Sequence, residues 1–181
     1  MRMLHLLMLI LIFRRNSLQT KRKSHRIIGI DPGTGILGFG IIDVDPIGKL
    51  SMVDAGVIRT PVHETDSNRL ITIYDELGDI IKDLKPDIMS VEKLFFAQNV
   101  TTAMSVSQAR GVVLLLGKKS NLDLFEYTPL QIKQALTSYG RATKKQIQEM
   151  VRIILGLKEH PKPDDCADAL AAAICHSMTM R

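Results

Sequence analysis

Four carboxylates occupy positions from which they could do chemistry together. Asp31 follows the apolar run Ile27-Ile28-Gly29-Ile30 and precedes a turn, Pro32-Gly33-Thr34-Gly35. Glu92 follows a second short apolar run, Ile88-Met89-Ser90-Val91. Asp165 and Asp168 stand three apart in a helical pattern, so both project from one side of it. Asp168 interrupts an Ala/Leu run, Ala167 to Ala173, and a charge in so apolar a setting needs a partner or a metal. Acids gathered at neighbouring strand ends repel one another unless cations lie between them. Hard divalent ions with oxygen ligands, Mg²⁺ above all, meet that need. Two such ions about 4 Å apart suit phosphodiester hydrolysis: one activates water and the other stabilises the leaving oxygen. Taken singly, each acid has a plainer reading. An Asp before Pro-Gly shapes a turn, Glu92 could be a solvated strand edge, and Asp164 and Asp165 at a helix start favour the macrodipole. Jointly the metal reading gains, because three separate elements each bring an acid to a plausible common edge.

Those elements can be read from period and punctuation. Arg26–Ile30, Ile36–Val44 and Leu50–Ile58 are β-rich and separated by turn residues, which predicts a three-stranded meander. Leu70, Ile73, Leu77, Ile80, Ile81 and Leu84 fall on one helical stripe, with Pro86 just beyond it. Ile88–Val91 is a short buried strand, Val100–Leu116 a helix, and Leu122–Tyr127 a fifth strand. Thr128-Pro129 opens a helix, with Thr as N-cap and Pro in the first position. Thr143 and Gln146 form a capping box for the next helix, which Gly156 ends. A last helix runs from Asp164 to about Met178. The order β-β-β-α-β-α-β-α-α-α predicts an α/β domain with a mixed five-stranded sheet flanked by helices. Open sheets of this kind place their sites at the ends of central strands.

The chain has 181 residues and a formal charge of +5, and its apolar fraction of 45% rules out wholesale disorder. The charge is unevenly placed. Residues 1–25 hold six basic groups and no acid, so the remainder nets −1. Within it, residues 26–92 carry six basic and twelve acidic groups, and residues 93–162 carry eleven basic and four acidic. Phosphate binding needs such local positive charge rather than a positive total. Lys133, Arg141, Lys144 and Lys145 flank the polar turn Thr137-Ser138-Tyr139-Gly140, a pattern that suits a backbone clamp better than a merely solvated face. Of Phe95 and Phe96, just after Glu92, one reads as core and the other as a candidate for stacking on an unpaired base.

Residues 1–25 stand outside the predicted fold, as a disordered extension or the product of a mis-assigned start. The apolar run Leu4–Phe13 is too short for a membrane span of about 20 residues. Arg14, Arg15 and Lys21–Lys23 stand where a signal peptide would have its cleavage site. A membrane-surface or targeting helix is the sharper alternative. Cys166 and Cys175 lie about 13 Å apart along one helical pattern, too far to bridge, and read as buried thiols of a reducing compartment.

Four blocks in series then carry a resemblance: Ile28-Gly29-Ile30-Asp31-Pro32-Gly33, Val91 to Asn99, Gln108-Ala109-Arg110-Gly111-Val112, and Asp165-Cys166-Ala167-Asp168-Ala169-Leu170-Ala171. From about Arg26 to His176 the chain resembles the RuvC family of bacterial crossover junction endodeoxyribonucleases. The first block alone also suits the phosphate loop of the actin/Hsp70/sugar-kinase group; the series of four is specific. The resemblance implies an RNase H-like fold, a homodimer, a cytoplasmic location and Mg²⁺-dependent, symmetric incision of Holliday junctions in homologous recombination and DNA repair, leaving nicks that ligase can seal. It also implies cooperation with the RuvA–RuvB branch-migration motor. The family's catalytic and metal-binding acids map onto Asp31, Glu92, Asp165 and Asp168; its D-x-x-D-A-L pattern favours Asp165 over Asp164 as the partner of Asp168. Lys133 and Lys144 match basic positions near the scissile phosphate, and Phe95 takes the stacking role. Arg110, Arg141 and Lys145 complete the expected DNA-binding set. The rivals are a YqgF-type nuclease acting on ribosomal RNA precursors, an ATP-binding domain, for which the chain is too short, and a non-catalytic junction-binding module, against which the four acids count.

Overall fold

Successive residues of the first strand enter opposite cores, because side chains alternate along a strand. Ile27 packs with Ile42, Ile88 and the Ala-rich last helix, while Ile28 and Ile30 pack with Ile73, Leu77, Ala109 and Val113 on the other side. In this computed structural model, which describes residues 23–93 and 100–180, the elements are β1 (His25–Asp31), β2 (Ile36–Val44), β3 (Leu50–Arg59), α1 (Asp66–Leu84), β4 (Ile88–Glu92), α2 (Val100–Lys119), β5 (Asp123–Tyr127), α3 (Pro129–Thr137), α4 (Lys144–Ile154) and α5 (Asp164–Thr179). The strands lie in the order β3-β2-β1-β4-β5. β1, β2 and β3 form the antiparallel meander, and β4 and β5 join β1 in parallel. α1 and α2 cover one face; α3, α4 and α5 cover the other.

The element order is the one expected, with boundaries moved by up to three residues. β1 starts at His25, which pairs with Val44, one residue before the expected edge of the domain. α2 continues to Lys119 rather than stopping at Leu116. Both capping readings hold. Thr143 and Gln146 cap α4 reciprocally, and Thr128 and Gln131 form a second capping box on α3. Gly156 follows α4 at φ +64°, the left-handed conformation that a helix stop requires. Cys166 and Cys175 are free and buried.

What brings α5 to the site is its close approach to the sheet. A Cβ on Gly29 of β1 would stand 2.0 Å from the Ala169 carbonyl oxygen, and one on Gly38 of β2 would stand 2.3 Å from that of Asp165. Only hydrogen on both strands, facing mainly alanine on the helix, permits this separation. Ser90 of β4 adds a fixed point, donating its hydroxyl to the Ala172 carbonyl at 2.7 Å. The segment leading into α5 is tied back to α4. Arg152 pairs with Glu149 (2.6 Å) and donates to the Leu157 carbonyl, and His160 Nε2 lies 2.7 Å from Glu149.

Candidate active site

Strand parity places the first two acids. Gly29 faces α5, so Asp31, two residues on, leaves the same face of β1. Ser90 also faces α5, so Glu92 does the same on β4. In the parallel register Ile30 pairs with Val91, which sets Asp31 and Glu92 side by side at adjacent strand ends. α5 lies over them and brings in Asp168. These three acids wall one cleft of about 310 Å³ with Lys133 of α3 and Lys144 of α4; Pro129, Ile132, Ile147 and Ala171 form its apolar sides. A larger hollow, about 490 Å³, lies at the opposite end of β1. Three of its charged groups are engaged in structure: Arg26 pairs with Asp43 at 2.7 Å and donates its backbone N–H to Asp87.

The acids oppose one another's ionisation. Burial pushes the Asp31 carboxyl up to about 6, helped by the charges of Asp168 and Asp165 and opposed by Lys144. Burial, then Asp31 and Asp168, pushes Glu92 up to about 8 against the pull of Lys133 and Lys144. Asp168 is also raised, by burial first, with Lys144 pulling it back. The Lys144 ammonium lies 3.1 Å from Asp168 Oδ2 and 3.5 Å from Asp164 Oδ2. Burial disfavours its charge, but the two acids outweigh burial and hold its pKa above the usual lysine value.

This donor set suits a hard divalent cation. It is all oxygen, it is short of positive charge, and it has already drawn in an ammonium. Among the described residues no three acidic, histidine or cysteine side chains converge on one point as a finished cage would. Asp168 faces Lys144 instead. A cation entering here would compete with the lysine for the charge of Asp168.

The structure thus gathers Asp31, Glu92, Asp168, Lys133 and Lys144. Asp165 stands beside the cleft in the first turn of α5, where its charge reaches Asp31 and Asp168, although it does not wall the cleft. Arg141 and Lys145 are exposed at the α3–α4 turn and at the start of α4. Arg110 stands apart on α2, half-buried and paired with Glu126 of β5, with its Nε buried and unpartnered among the described residues. Phe95 and Phe96 lie outside the described residues. Sequence reasoning flagged Asp164 as a neighbour of the set but missed its contact with Lys144. The N1 position of Lys144, after a capping box, was the available signal that it stands at a helix mouth. Among the described residues no helix is long and apolar enough to cross a membrane.

Comparison with known proteins agrees with this geometry. The family model described as crossover junction endodeoxyribonuclease RuvC matches residues 27–176. A curated crossover junction endodeoxyribonuclease RuvC from Heliobacterium modesticaldum is 53% identical over 155 residues, covering 84% of this chain and 95% of the relative. The solved Thermus thermophilus RuvC superposes with a TM-score of 0.80 at 35% identity, covering 86% of this chain and 95% of that one. The same protein in complex with a Holliday junction substrate gives 0.78 at 33% identity over the same shares. The mixed sheet flanked by helices is the RNase H-like fold that the sequence blocks implied. Matched over 150 residues by its model and over most of its length by these relatives, the chain belongs to the RuvC family of crossover junction endodeoxyribonucleases.

Proposed function

We propose that this chain resolves four-way DNA junctions by hydrolysing one phosphodiester in each of two opposed strands, with Asp31, Glu92, Asp165 and Asp168 as its catalytic acids. The observation that carries this reading is the single cleft in which three of those acids, held above their ordinary carboxylate range, meet two lysines. Mg²⁺ held by the four acids would supply Lewis acidity toward the scissile phosphate and its attacking water.

The chain's own groups do the rest. Lys133 and Lys144 bind the phosphate at the cleft mouth and neutralise charge that develops on its oxygens. Glu92 carries a proton near neutral pH and releases it as the cleft takes up positive charge. Asp165 adds negative charge beside Asp31 and Asp168. Arg141 and Lys145, exposed next to the cleft lysines, hold the DNA backbone, with Arg110 added from the same positive stretch. By resemblance Phe95 stacks on a base at the opened centre. Two copies of the chain related by a twofold axis would present two clefts to a substrate of matching symmetry, which accounts for paired cuts. The RuvA–RuvB motor is the partner that the family implies. The nuclease domain runs from β1, at His25, to residue 181, and the residues before it are an appendage to it.

The test is incubation with Mg²⁺ and three substrates: a synthetic four-way junction, a linear duplex of the same sequence and a structured RNA. Paired, ligatable nicks in the junction alone are expected. Cleavage of the RNA with the junction left whole would favour a ribosomal RNA nuclease instead.

A further inference from the structure

The Tyr139 side chain faces solvent. The residue is 56% exposed, more than any other described phenylalanine or tyrosine, and among the described residues its hydroxyl has no hydrogen-bond partner. Its backbone, by contrast, is held from both sides. Ser138 adopts φ +58° and donates its N–H to the Gln134 carbonyl, closing α3. The Thr137 hydroxyl donates to the Lys133 carbonyl at 2.7 Å and accepts the Tyr139 N–H at 3.1 Å. The Ala142 N–H donates to the Tyr139 carbonyl at 3.2 Å, just before the Thr143 cap and Lys144. The turn that carries Tyr139 is therefore fastened to Lys133 and leads directly to Lys144, the two cations of the cleft.

The turn that carries the ring has apolar and cationic neighbours. Leu130, 54% exposed and next to the cleft residue Pro129, packs under the turn; a Cβ on Gly140 would stand 2.4 Å from its Cδ1. Arg141 and Lys145 are exposed on either side of the α4 entry. An aromatic face among cations is the arrangement that binds unpaired nucleotides, because every base has a π face. A ring on a turn already fixed by hydrogen bonds loses little freedom when it binds.

We propose that Tyr139, on the turn that Leu130 approaches at Gly140, is a stacking platform for an unpaired base flanking the scissile phosphate, working with Lys133 and Lys144; this rests on the junction-cutting reading above. It adds a contact on the α3–α4 side of the cleft, separate from the stacking role that the resemblance gives Phe95. The contact is not ionic, so its loss should weaken binding without changing how binding responds to salt.

The experiment measures junction affinity over a range of salt concentrations, and single-turnover cleavage, for wild type, Tyr139→Ala, Tyr139→Phe and Lys145→Gln. Tyr139→Ala is expected to bind the junction about tenfold more weakly with the slope against log salt unchanged. Tyr139→Phe, which keeps the ring, should match wild type. Lys145→Gln should lower the slope by about one. Equal melting temperatures for wild type and Tyr139→Ala are expected, since the side chain is more than half exposed. Tyr139→Ala binding like wild type, or Tyr139→Phe losing as much as Tyr139→Ala, would overturn the stacking role while wild-type cleavage stands. A wild type that binds but never cuts the junction would overturn the parent reading and this inference with it.

Discussion

The Lys144 ammonium lies 3.1 Å from Asp168 Oδ2 and reaches Asp164 as well, so the first residue of α4 neutralises acids on the first two turns of α5. The pair is partly exposed, so its worth in stability is small. Its importance is competition: the lysine already occupies Asp168 Oδ2 and neutralises charge that would otherwise attract a divalent cation.

Lys144→Gln should therefore bind divalent cations more tightly than wild type in the absence of DNA, while cleaving the junction on the order of 10²-fold more slowly for want of a charge on the phosphate. Calorimetric titration with Mn²⁺ and single-turnover cleavage read the two effects. Weaker cation binding with unchanged cleavage would mean that the lysine supports the site rather than competing for it.

The raised carboxyls make the cation-free protein lose stability as pH rises. Asp31 and Glu92 bind protons more tightly folded than unfolded, so their contribution is complete below their unfolded values near 4. It is lost as pH climbs through about 6 for Asp31 and about 8 for Glu92. His176, lowered chiefly by burial, works in the opposite direction, so the informative comparison is with Glu92→Gln. In chelator, the melting temperature of wild type relative to Glu92→Gln should fall between pH 5 and pH 8.5, and Mg²⁺ should reduce the fall. A difference that stays flat with pH would contradict the shift.

Gly29→Ala should damage fold and site together. The added methyl would stand 2.0 Å from the Ala169 carbonyl oxygen, backbone that cannot swing aside. Displacing α5 should cost about 3 kcal/mol, or roughly 6–12 °C in melting temperature. Cleavage should fall further than stability alone explains, because Asp168 moves with the helix. A wild-type melt would show that the helix lies farther from the sheet.

Removing residues 1–22 leaves 19 basic and 19 acidic groups, net zero, and spares β1, which begins at His25. Junction cleavage at moderate salt should be unchanged, because the positive stretch at residues 93–162 is retained. A large loss of activity on truncation would assign the segment a role in the nuclease.

Much of the site was legible before any coordinates. The apolar runs before Asp31 and Glu92 put both acids at strand ends, and caps at Thr128 and Thr143 fix where α3 and α4 begin. These are local rules, readable from a few residues at a time. The partners of Lys144 depend on how α4 packs against α5, which no local pattern states. The same holds for Arg110. A charge count placed it with the DNA-binding cations, but its guanidinium meets Glu126 across α2 and β5. The closeness of α5 to the sheet was hidden too, since Gly29 and Gly38 reveal their purpose only when Ala169 and Asp165 are laid over them.

The central claim is that Asp31 and Asp168 serve catalysis rather than binding. Asp31→Asn and Asp168→Asn, each nearly isosteric, should be assayed on a four-way junction in Mg²⁺ for both cleavage and affinity. Cleavage should be abolished while the junction is bound at least as tightly as by wild type, because the lysines remain and a negative charge is gone. Full cleavage by either variant, with binding retained, would contradict the assignment of that acid.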